Sequence, residues 1–437
     1  MRQAVAPKHN TTNKARMKTH TTLRAALLSA LGATALLTWQ ARAEGLNLRL
    51  DSAGIEVAAL PDHPDASSAA RARLSISAKG ESGAWSYALG ARVDASAQSG
   101  AQRFDRARLD YTENYLRWQN ESVQVTAGTQ NVLWGRVDEI SPIDRMSRAD
   151  LTHALLDRLS ERRRAVPAIR VVGFGEKSKL DVVWLPVFDS AVMPHERSVW
   201  HPVDTQDGRI LGIGALPGLA GAQIQEANVN GSGGIGARWT VEGQGFDYGI
   251  SLQRARSSQP YYRVLPGVPV VLQAVHPIST VLGGEFETEA AGATWRAELA
   301  WSSDNPLTTQ GLQYRTANGL AWVVGAEFFP GDSETRVTLQ LAGQRIRPPE
   351  AVLDRTRMTY LLGDIEHPFS QGRWRADLRF SLGLNDRDNY VNPRLTYTGI
   401  DQHELFVAAH LFGGASNTLG GFYRRNDAVS VGWQAKF

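Results

Sequence analysis

The chain has 437 residues, no cysteine and a formal net charge of +3 at neutral pH. Residues 1–43 contain seven Lys or Arg and no Asp or Glu, and subtracting these seven charges from +3 leaves −4 for residues 44–437. The basic balance of the whole chain therefore gives no support to a nucleic-acid partner, and the lack of cysteine excludes a disulfide framework.

The N-terminal segment is predicted to be a secretory signal peptide. Basic residues precede an apolar run from Ala25 to Trp39, and Ala41-Arg42-Ala43 forms a small-x-small cleavage site. The apolar core is shorter than the ~20 residues of a membrane-spanning helix, which argues against the alternative of a membrane anchor. We expect cleavage after Ala43, so that residues 1–43 are removed and residues 44–69 form a periplasmic lead-in.

Residues 70–437 repeatedly alternate apolar and polar residues in segments of about ten, separated by Gly, Asn, Asp and Ser. Aromatic residues often end the apolar sets, as they do in the girdles of membrane barrels. No segment after residue 43 approaches the ~18 consecutive apolar residues of a spanning helix. The pattern predicts an all-β, transmembrane antiparallel β-barrel of about 16 strands, within a range of about 14 to 18. A soluble secreted β-protein is the alternative.

Two neighbouring segments carry the most specific motif. Glu-x-Tyr is followed by Gly-x-Gln-x-Val-x-Trp-Gly, at positions Glu113, Tyr115, Gly128, Gln130, Val132, Trp134 and Gly135. With Asp138, Pro142 and Asp144, these motifs make residues 105–190 resemble a proteobacterial porin-like family of outer-membrane β-barrels of unknown function. A weaker similarity is to alginate-export-type barrels. The resemblance implies an outer-membrane location and a transport-type role, without identifying a substrate.

The segment after this motif interrupts the strand pattern. Charged residues come first, and apolar residues at helical spacing follow at Leu151, Ala154, Leu155 and Leu159. This spacing predicts one short helix after the fourth strand. We expect residues 135–165 to fold into the lumen as a constriction, whereas a helix outside the barrel rim is the alternative. The predicted pore-lining residues are Glu113, Tyr115, Arg117, Gln130, Arg136, Asp138, Asp144 and Arg145.

The alternation also places charges of both signs on the inward face of the predicted strands. The cations are Arg92, Arg117, Arg170, Arg238, Arg296, Arg336, Arg375 and Arg379. The anions are Asp94, Glu113, Asp181, Asp247, Glu298, Asp377 and Glu404. Two interpretations stay open, a transverse field across a narrow pore and a lumen packed with neutralising ion pairs, and either predicts only weak ion preference.

The C-terminal segment is an alternating strand that ends on Trp433 and Phe437. It resembles the closing-strand signal by which outer-membrane barrels are recognised for assembly, so we predict that these two residues belong to an assembly signal.

Sequence patterns of outer-membrane enzymes are missing. The chain contains no His-x-Ser, no Gly-x-Ser-x-Gly and no His-x-x-x-His, so no catalytic, metal or cofactor site is predicted. The sequence predicts instead a channel or transporter of the cell outer membrane that passes small-molecule solutes. Its expected partners are outer-membrane lipid and the barrel assembly machinery, with no nucleic acid and with a homo-oligomer left open. A substrate-specific exporter or uptake barrel for hydrophobic or polysaccharide-like substrates, and a structural or adhesive barrel, are the alternatives.

Overall fold

The structure is a computed structural model that describes residues 48–154, 156–331 and 334–437. The predicted signal peptide, residues 1–43, lies outside the described residues, as does Leu155.

Within the described ranges, eighteen strands form one antiparallel sheet that closes on itself. Closure is made by the first and last strands, in which Ile55 pairs with Trp433. The strands are β1 Leu48–Ala59, β2 Ser68–Ser82, β3 Trp85–Ser99, β4 in two parts (Phe104–Tyr111 and Asn114–Gln119), β5 Val123–Gln130, β6 Val166–Phe174, β7 Ser178–Leu185, β8 Gly234–Glu242, β9 Phe246–Arg256, β10 Ile278–Ala290, β11 Ala293–Thr308, β12 Tyr314–Phe328, β13 Arg336–Ile346, β14 Arg357–Phe369, β15 Trp374–Gly383, β16 Asp388–Ile400, β17 His403–Gly414 and β18 Ala428–Lys436. Both parts of β4 pair with β3, and they therefore count as one strand.

The burial pattern is inverted relative to a soluble β-protein. Large aliphatic side chains are exposed on the outer face, and the most exposed on β4, Leu109, has 73% of its surface accessible. Charged side chains of opposite parity point inward, as Arg92 and Asp94 do on β3. Aromatic rings line the rim at the short-turn end, where Phe246 stacks on Phe286 at 5.9 Å. The alternation predicted from the sequence is confirmed, because an outer apolar band with aromatic girdles is the surface of a membrane barrel.

Connections differ in length at the two ends of the barrel. The end that holds both termini has tight turns, such as residues 83–84, whereas the opposite end carries residues 131–165, 186–233 and 257–277. These long connections contain small elements of their own. They are the pair Arg148–Ala149 and Arg163–Arg164, the strands Val203–Asp204, Arg209–Ile210 and Gly214–Ala215, the 3-10 turn Pro217–Leu219, and the sheet of Gln223–Gln225, Tyr261–Leu265 and Val271–Val275. A single-turn helix, Leu419–Phe422, precedes β18.

Two expectations from the sequence are wrong. The barrel begins at Leu48 instead of residue 70, because β1 pairs with both β2 and β18, and the strand number is therefore at the upper end of the expected range. The predicted helix does not form in the described residues between 146 and 164, which are turns and a short strand pair. Asp150 accepts a hydrogen bond from the Thr152 amide, and Ala154 adopts a positive φ of 47°, so the local backbone is not helical. No helix in the described ranges has the length and apolar character needed to cross a membrane.

Candidate functional site

The Glu-x-Tyr and Gly-x-Gln motifs lie at a break in the wall. Strand β4 is interrupted after Tyr111, and the Asn114 side chain fills the gap by accepting from Gly90 N and donating to Gly90 O, both at 2.9 Å. From β5, the Thr129 hydroxyl donates to Thr112 O at 2.8 Å. Side chains thus replace the missing backbone bonds of the sheet.

Gly128 is required at this break. Its φ is +130°, and a Cβ atom there would lie 2.1 Å from the Asn114 carbonyl oxygen. Only glycine adopts this backbone without strain and permits such a close approach. The Gly-x-Gln spacing of Gly128 and Gln130 is therefore explained by the wall, where the Gln130 amide donates to Ala168 O at 3.0 Å.

Trp134 fixes the point at which the chain leaves the wall. Its ring is 1% exposed, and its Nε1 donates to Asp181 Oδ2 at 2.9 Å. Val132 and Trp134 pack with buried residues of β6 and β7, including Val166 and Val183. From Gly135 the chain runs inside the barrel, and we call residues 131–165 the crossing segment.

The first part of the crossing segment contacts the inward faces of β9, β10 and β11. Arg136 Nε donates to Glu285 Oε1 at 2.7 Å. Glu298 accepts from the Arg136 amide and from the Ser141 hydroxyl, each at 2.6 Å. Ile143 is fully buried against Val281 and neighbouring residues of the same wall. Glu285 faces the lumen, since its neighbour Phe286 is exposed on the outer surface.

The middle of the crossing segment reaches β14 and β15 on another side of the lumen. Arg379 donates to both carboxylate oxygens of Glu139, at 2.9 and 2.6 Å, and to the carbonyl oxygens of Leu156 and Asp157, at 3.2 and 3.4 Å. Arg158 pairs with Asp364 of β14. One buried guanidinium therefore holds two separate turns of the crossing segment.

The last part of the crossing segment contacts β2 and β3. Asp157 pairs with Arg71, and Asp150 accepts from Arg92 Nη2 at 3.2 Å. Arg164 donates to Asp94 Oδ2 at 2.7 Å. The crossing segment is thus in contact with inward-facing side chains on widely separated parts of the wall, and it occupies the lumen.

The predicted pore-lining residues lie in different environments. Glu113 accepts from the Asn131 amide at 3.3 Å, and the Arg117 guanidinium lies 4.6 Å from the centre of the Tyr115 ring. Asp144 is buried and pairs with Arg163. The other four are separated, since Gln130 is buried in the wall and Arg136 pairs with β10, whereas Asp138 and Arg145 are exposed. Among the described residues Arg145 makes no ion pair, and its Nε donates to Pro142 O at 3.2 Å.

Two carboxyl groups of the crossing segment have perturbed acidities. Although 45% of its side-chain surface is exposed, the Asp138 carboxyl group is partly desolvated by the protein atoms around it in the lumen, which raises its pKa; Arg296, 3.4 Å away, opposes the shift. Burial also raises the pKa of Asp144, and Arg163 opposes that shift. Desolvation disfavours the charged carboxylate in both cases, so each group gains its proton at a higher pH than an ordinary aspartate.

Most of the inward charges identified from the sequence are paired. Within the described ranges, ion pairs are formed by Arg92, Arg170, Arg238, Arg296, Arg336, Arg375 and Arg379. Sequence reasoning missed two of their partners in the crossing segment, Glu139 and Asp150, and it also missed Asp157, which pairs with Arg71 of β2. The sequence did offer a signal for Asp150 and Asp157, because these acidic residues lie among the apolar positions of the predicted helix. No group of three or more side chains suited to holding a metal ion occurs in the described part of the chain.

A closed eighteen-stranded barrel with an outer apolar band and a chain segment inside its lumen defines a porin-like membrane barrel. The family model "Protein of unknown function (DUF1302)" matches residues 27–406, and the chain belongs to this family. No curated protein matches the sequence at a significant level.

Solved structures are similar in fold. OccAB1 of Acinetobacter baumannii is 10% identical with a TM-score of 0.50, covering 91% of this chain and 98% of its own. OccK1 (OpdK) of Pseudomonas aeruginosa is 10% identical with a TM-score of 0.47, covering 90% and 98%. OmpF of Salmonella typhi is 11% identical with a TM-score of 0.45, covering 90% and 98%. At these identities the likeness to OccAB1 supports the barrel fold alone.

Proposed function

We propose that this protein is an outer-membrane channel for small polar solutes and that the crossing segment narrows its lumen. The observation that carries this proposal is the path of residues 131–165, which leave the wall at Trp134 and contact inward-facing residues of β10, β15 and β2. A barrel of about 18 strands is wide enough for an aqueous channel unless something fills it. The crossing segment is therefore the element that sets the size of the passage.

The polarity of the passage favours small polar solutes over the alternatives. Charged side chains line both the inward wall and the crossing segment, and a cavity of about 280 Å³ between them is bordered by Arg136, Asp138, Arg158, Arg336 and Asp364. An uptake barrel for hydrophobic substrates would need an apolar path, and a polysaccharide exporter would need a wide one.

The same proposal includes the route to the membrane. Residues 1–43 are removed on export in a Gram-negative envelope, so the mature chain starts at Glu44. The assembly machinery then reads the C-terminal strand together with Phe437, which follows β18 and donates its amide to Asp51 O at 3.0 Å in the closed barrel.

Planar-bilayer recordings test the channel. Replacing residues 151–162 by a short Gly-Ser link preserves the strand pair Arg148–Ala149 and Arg163–Arg164 and should raise the single-channel conductance. The control replaces residues 266–269 by Gly and Ser and should leave the conductance unchanged. These residues form the tip of the hairpin between Tyr261–Leu265 and Val271–Val275, where Val268 is fully exposed. A wild-type protein that inserts without conducting would contradict the channel. A shortened variant with wild-type conductance would show that the crossing segment does not limit the passage.

A further inference from the structure

We propose that the lumen contains a binding site for small oxyanions, formed by Arg106, Arg108 and Arg164 between the β4 wall and the crossing segment. The inference rests on the proposed channel function and names the class of solute, namely molecules that carry a carboxylate or phosphate group.

The positive charge at this place exceeds the negative charge. On the neighbouring strands the charges balance, since Arg71, Arg73, Arg92 and Arg164 share the carboxylates of Glu56, Asp94, Asp150 and Asp157. The remaining cations are Arg106, Arg108 and Arg148, and among the described residues their only ion-pair partner is Asp110.

Asp110 is shared unevenly among several guanidinium groups. It lies 3.3 Å from Arg148, 3.5 Å from Arg164 and 3.7 Å from Arg108. Arg106 makes no ion pair among the described residues and is exposed on the inward face of β4. Arg106, Arg148 and Arg164 all lie close enough to Arg108 to repel it electrostatically. An anion at this position would remove that repulsion, whereas a cation would add to it.

A buried donor also points to a ligand. The Arg164 side chain is 4% exposed, and its Nη1 makes a 3.5 Å ion pair with Asp110 Oδ2 but no hydrogen bond among the described residues. Guanidinium groups bind carboxylates and phosphates through paired, charge-assisted hydrogen bonds. Arg164 therefore has donor capacity left for an oxyanion next to Arg106 and Arg108.

The space at this position is a cavity of about 180 Å³ whose lining includes Arg106, Arg108 and Arg164. Thr152 and His153 of the crossing segment border it on one side. On another side His195 stacks flat on Phe104, with ring centres 4.6 Å apart. An apolar cavity of ~150 Å³ holds benzene, so a small organic acid or a phosphate group fits here.

Of the carboxylates in the same lining, Glu56 and Asp94 are engaged by arginines, as described above. Glu161 is the third and makes no ion pair among the described residues, so it offsets one of the positive charges. Arg106, Arg108 and Arg148 then face two carboxylates, Asp110 and Glu161, so one positive charge stays uncompensated, which agrees with a site for a small oxyanion.

Calorimetric titration of the detergent-solubilised full chain tests the site without requiring conductance. Benzoate and inorganic phosphate are the probes, and benzylammonium is the cationic counterpart of benzoate. The variant Arg106→Gln should weaken binding of the anions by about tenfold, the loss of one charge-assisted hydrogen bond. Arg106→Lys should recover part of the affinity. The control Arg103→Gln removes an exposed positive charge three residues away that does not line the cavity, and it should bind as wild type does.

Each outcome decides the proposal. Binding of benzoate alone assigns the site to organic carboxylates, and binding of phosphate alone assigns it to phosphate-bearing solutes. Equal affinity in wild type and Arg106→Gln, or equal binding of benzylammonium, would overturn it. Block of the bilayer current by the same anions would link the site to the passage. Anion binding by a protein that does not conduct would reject the channel and leave the site in place.

Discussion

Removing the Arg379 guanidinium should release the crossing segment from the wall. The pair of Arg379 with Glu139 is buried, since the two side chains are 8% and 11% exposed, and both carboxylate oxygens are engaged. Arg379→Met leaves Glu139 buried without this partner and also removes the donors to Leu156 O and Asp157 O. Breaking one side of a buried ion pair costs about 3 to 5 kcal/mol.

That cost translates into a measurable change in the channel. A loss of about 3 kcal/mol shifts the equilibrium between docked and released segment by on the order of 100-fold. Single-channel recordings of Arg379→Met should therefore show frequent transitions to a higher-conductance state that the wild type rarely visits. Replacing Glu139 by Met as well should suppress part of these transitions, because no buried charge is then left unpaired.

The matched control lies on the same strand. Arg375 also faces the lumen, but its ion pairs are with Asp377, Glu366 and Glu404 of the wall. Arg375→Met should leave the pattern of transitions unchanged. If Arg379→Met and Arg375→Met gave the same recordings as wild type, with both proteins correctly assembled, the inference that Arg379 holds the crossing segment would be refuted.

Three further predictions concern selectivity, folding and assembly. Because the pKa of Asp138 is raised, acidification should remove its negative charge at a higher pH than for an ordinary aspartate. The reversal potential in a salt gradient should then shift in the direction of greater anion selectivity, and Asp138→Asn should not show this pH-dependent shift. Gly128→Ala should lower the yield of folded barrel on heat-modifiability gels, since the added Cβ meets a backbone oxygen, whereas Gly173→Ala meets nothing within 4 Å and should fold normally. Deleting Phe437 should reduce the amount of barrel in the outer membrane without reducing export, and unchanged surface levels would remove it from the assembly signal.

The barrel could be predicted from the sequence because few other folds combine alternating apolar and polar residues with aromatic residues at the ends of the apolar sets. Strand β1 was missed for a local reason. Its register shifts between Leu50 and Ser52, and this irregularity breaks the alternation on which the prediction depended. The segment was assigned to a lead-in instead of the wall.

The prediction of a helix after the fourth strand was wrong, because the spacing of apolar residues does not show which side chains their polar neighbours contact. Leu151, Ala154 and Leu159 recur at helical intervals, but the acidic residues among them are held by arginines from distant strands. Long-range ion pairs and a turn at Asp150 outweigh helix propensity here. Such partners lie far apart in the chain, as Glu139 and Arg379 do, and no local pattern identifies them.

The motif was noticed for its residue types, whereas its main role in this structure is geometric. Gln130 was expected to line the pore, yet it is buried and bonded to β6. Asn114 and Thr129, which were not singled out, bridge the break in β4. A side chain that replaces a backbone bond cannot be recognised until the strand pairing is known.

The central claim, that the crossing segment lies inside the barrel, is tested most directly by a cross-link. The chain has no cysteine, so Ile143→Cys with Gly283→Cys introduces the only two thiols. A Cβ at position 283 would lie 3.2 Å from Ile143 Cβ, and a shift of a few tenths of an ångström brings the pair to disulfide geometry. We predict rapid disulfide formation in the assembled protein, seen as a mobility shift and a cross-linked peptide by mass spectrometry. An assembled variant whose thiols stay free under oxidising conditions would contradict the account.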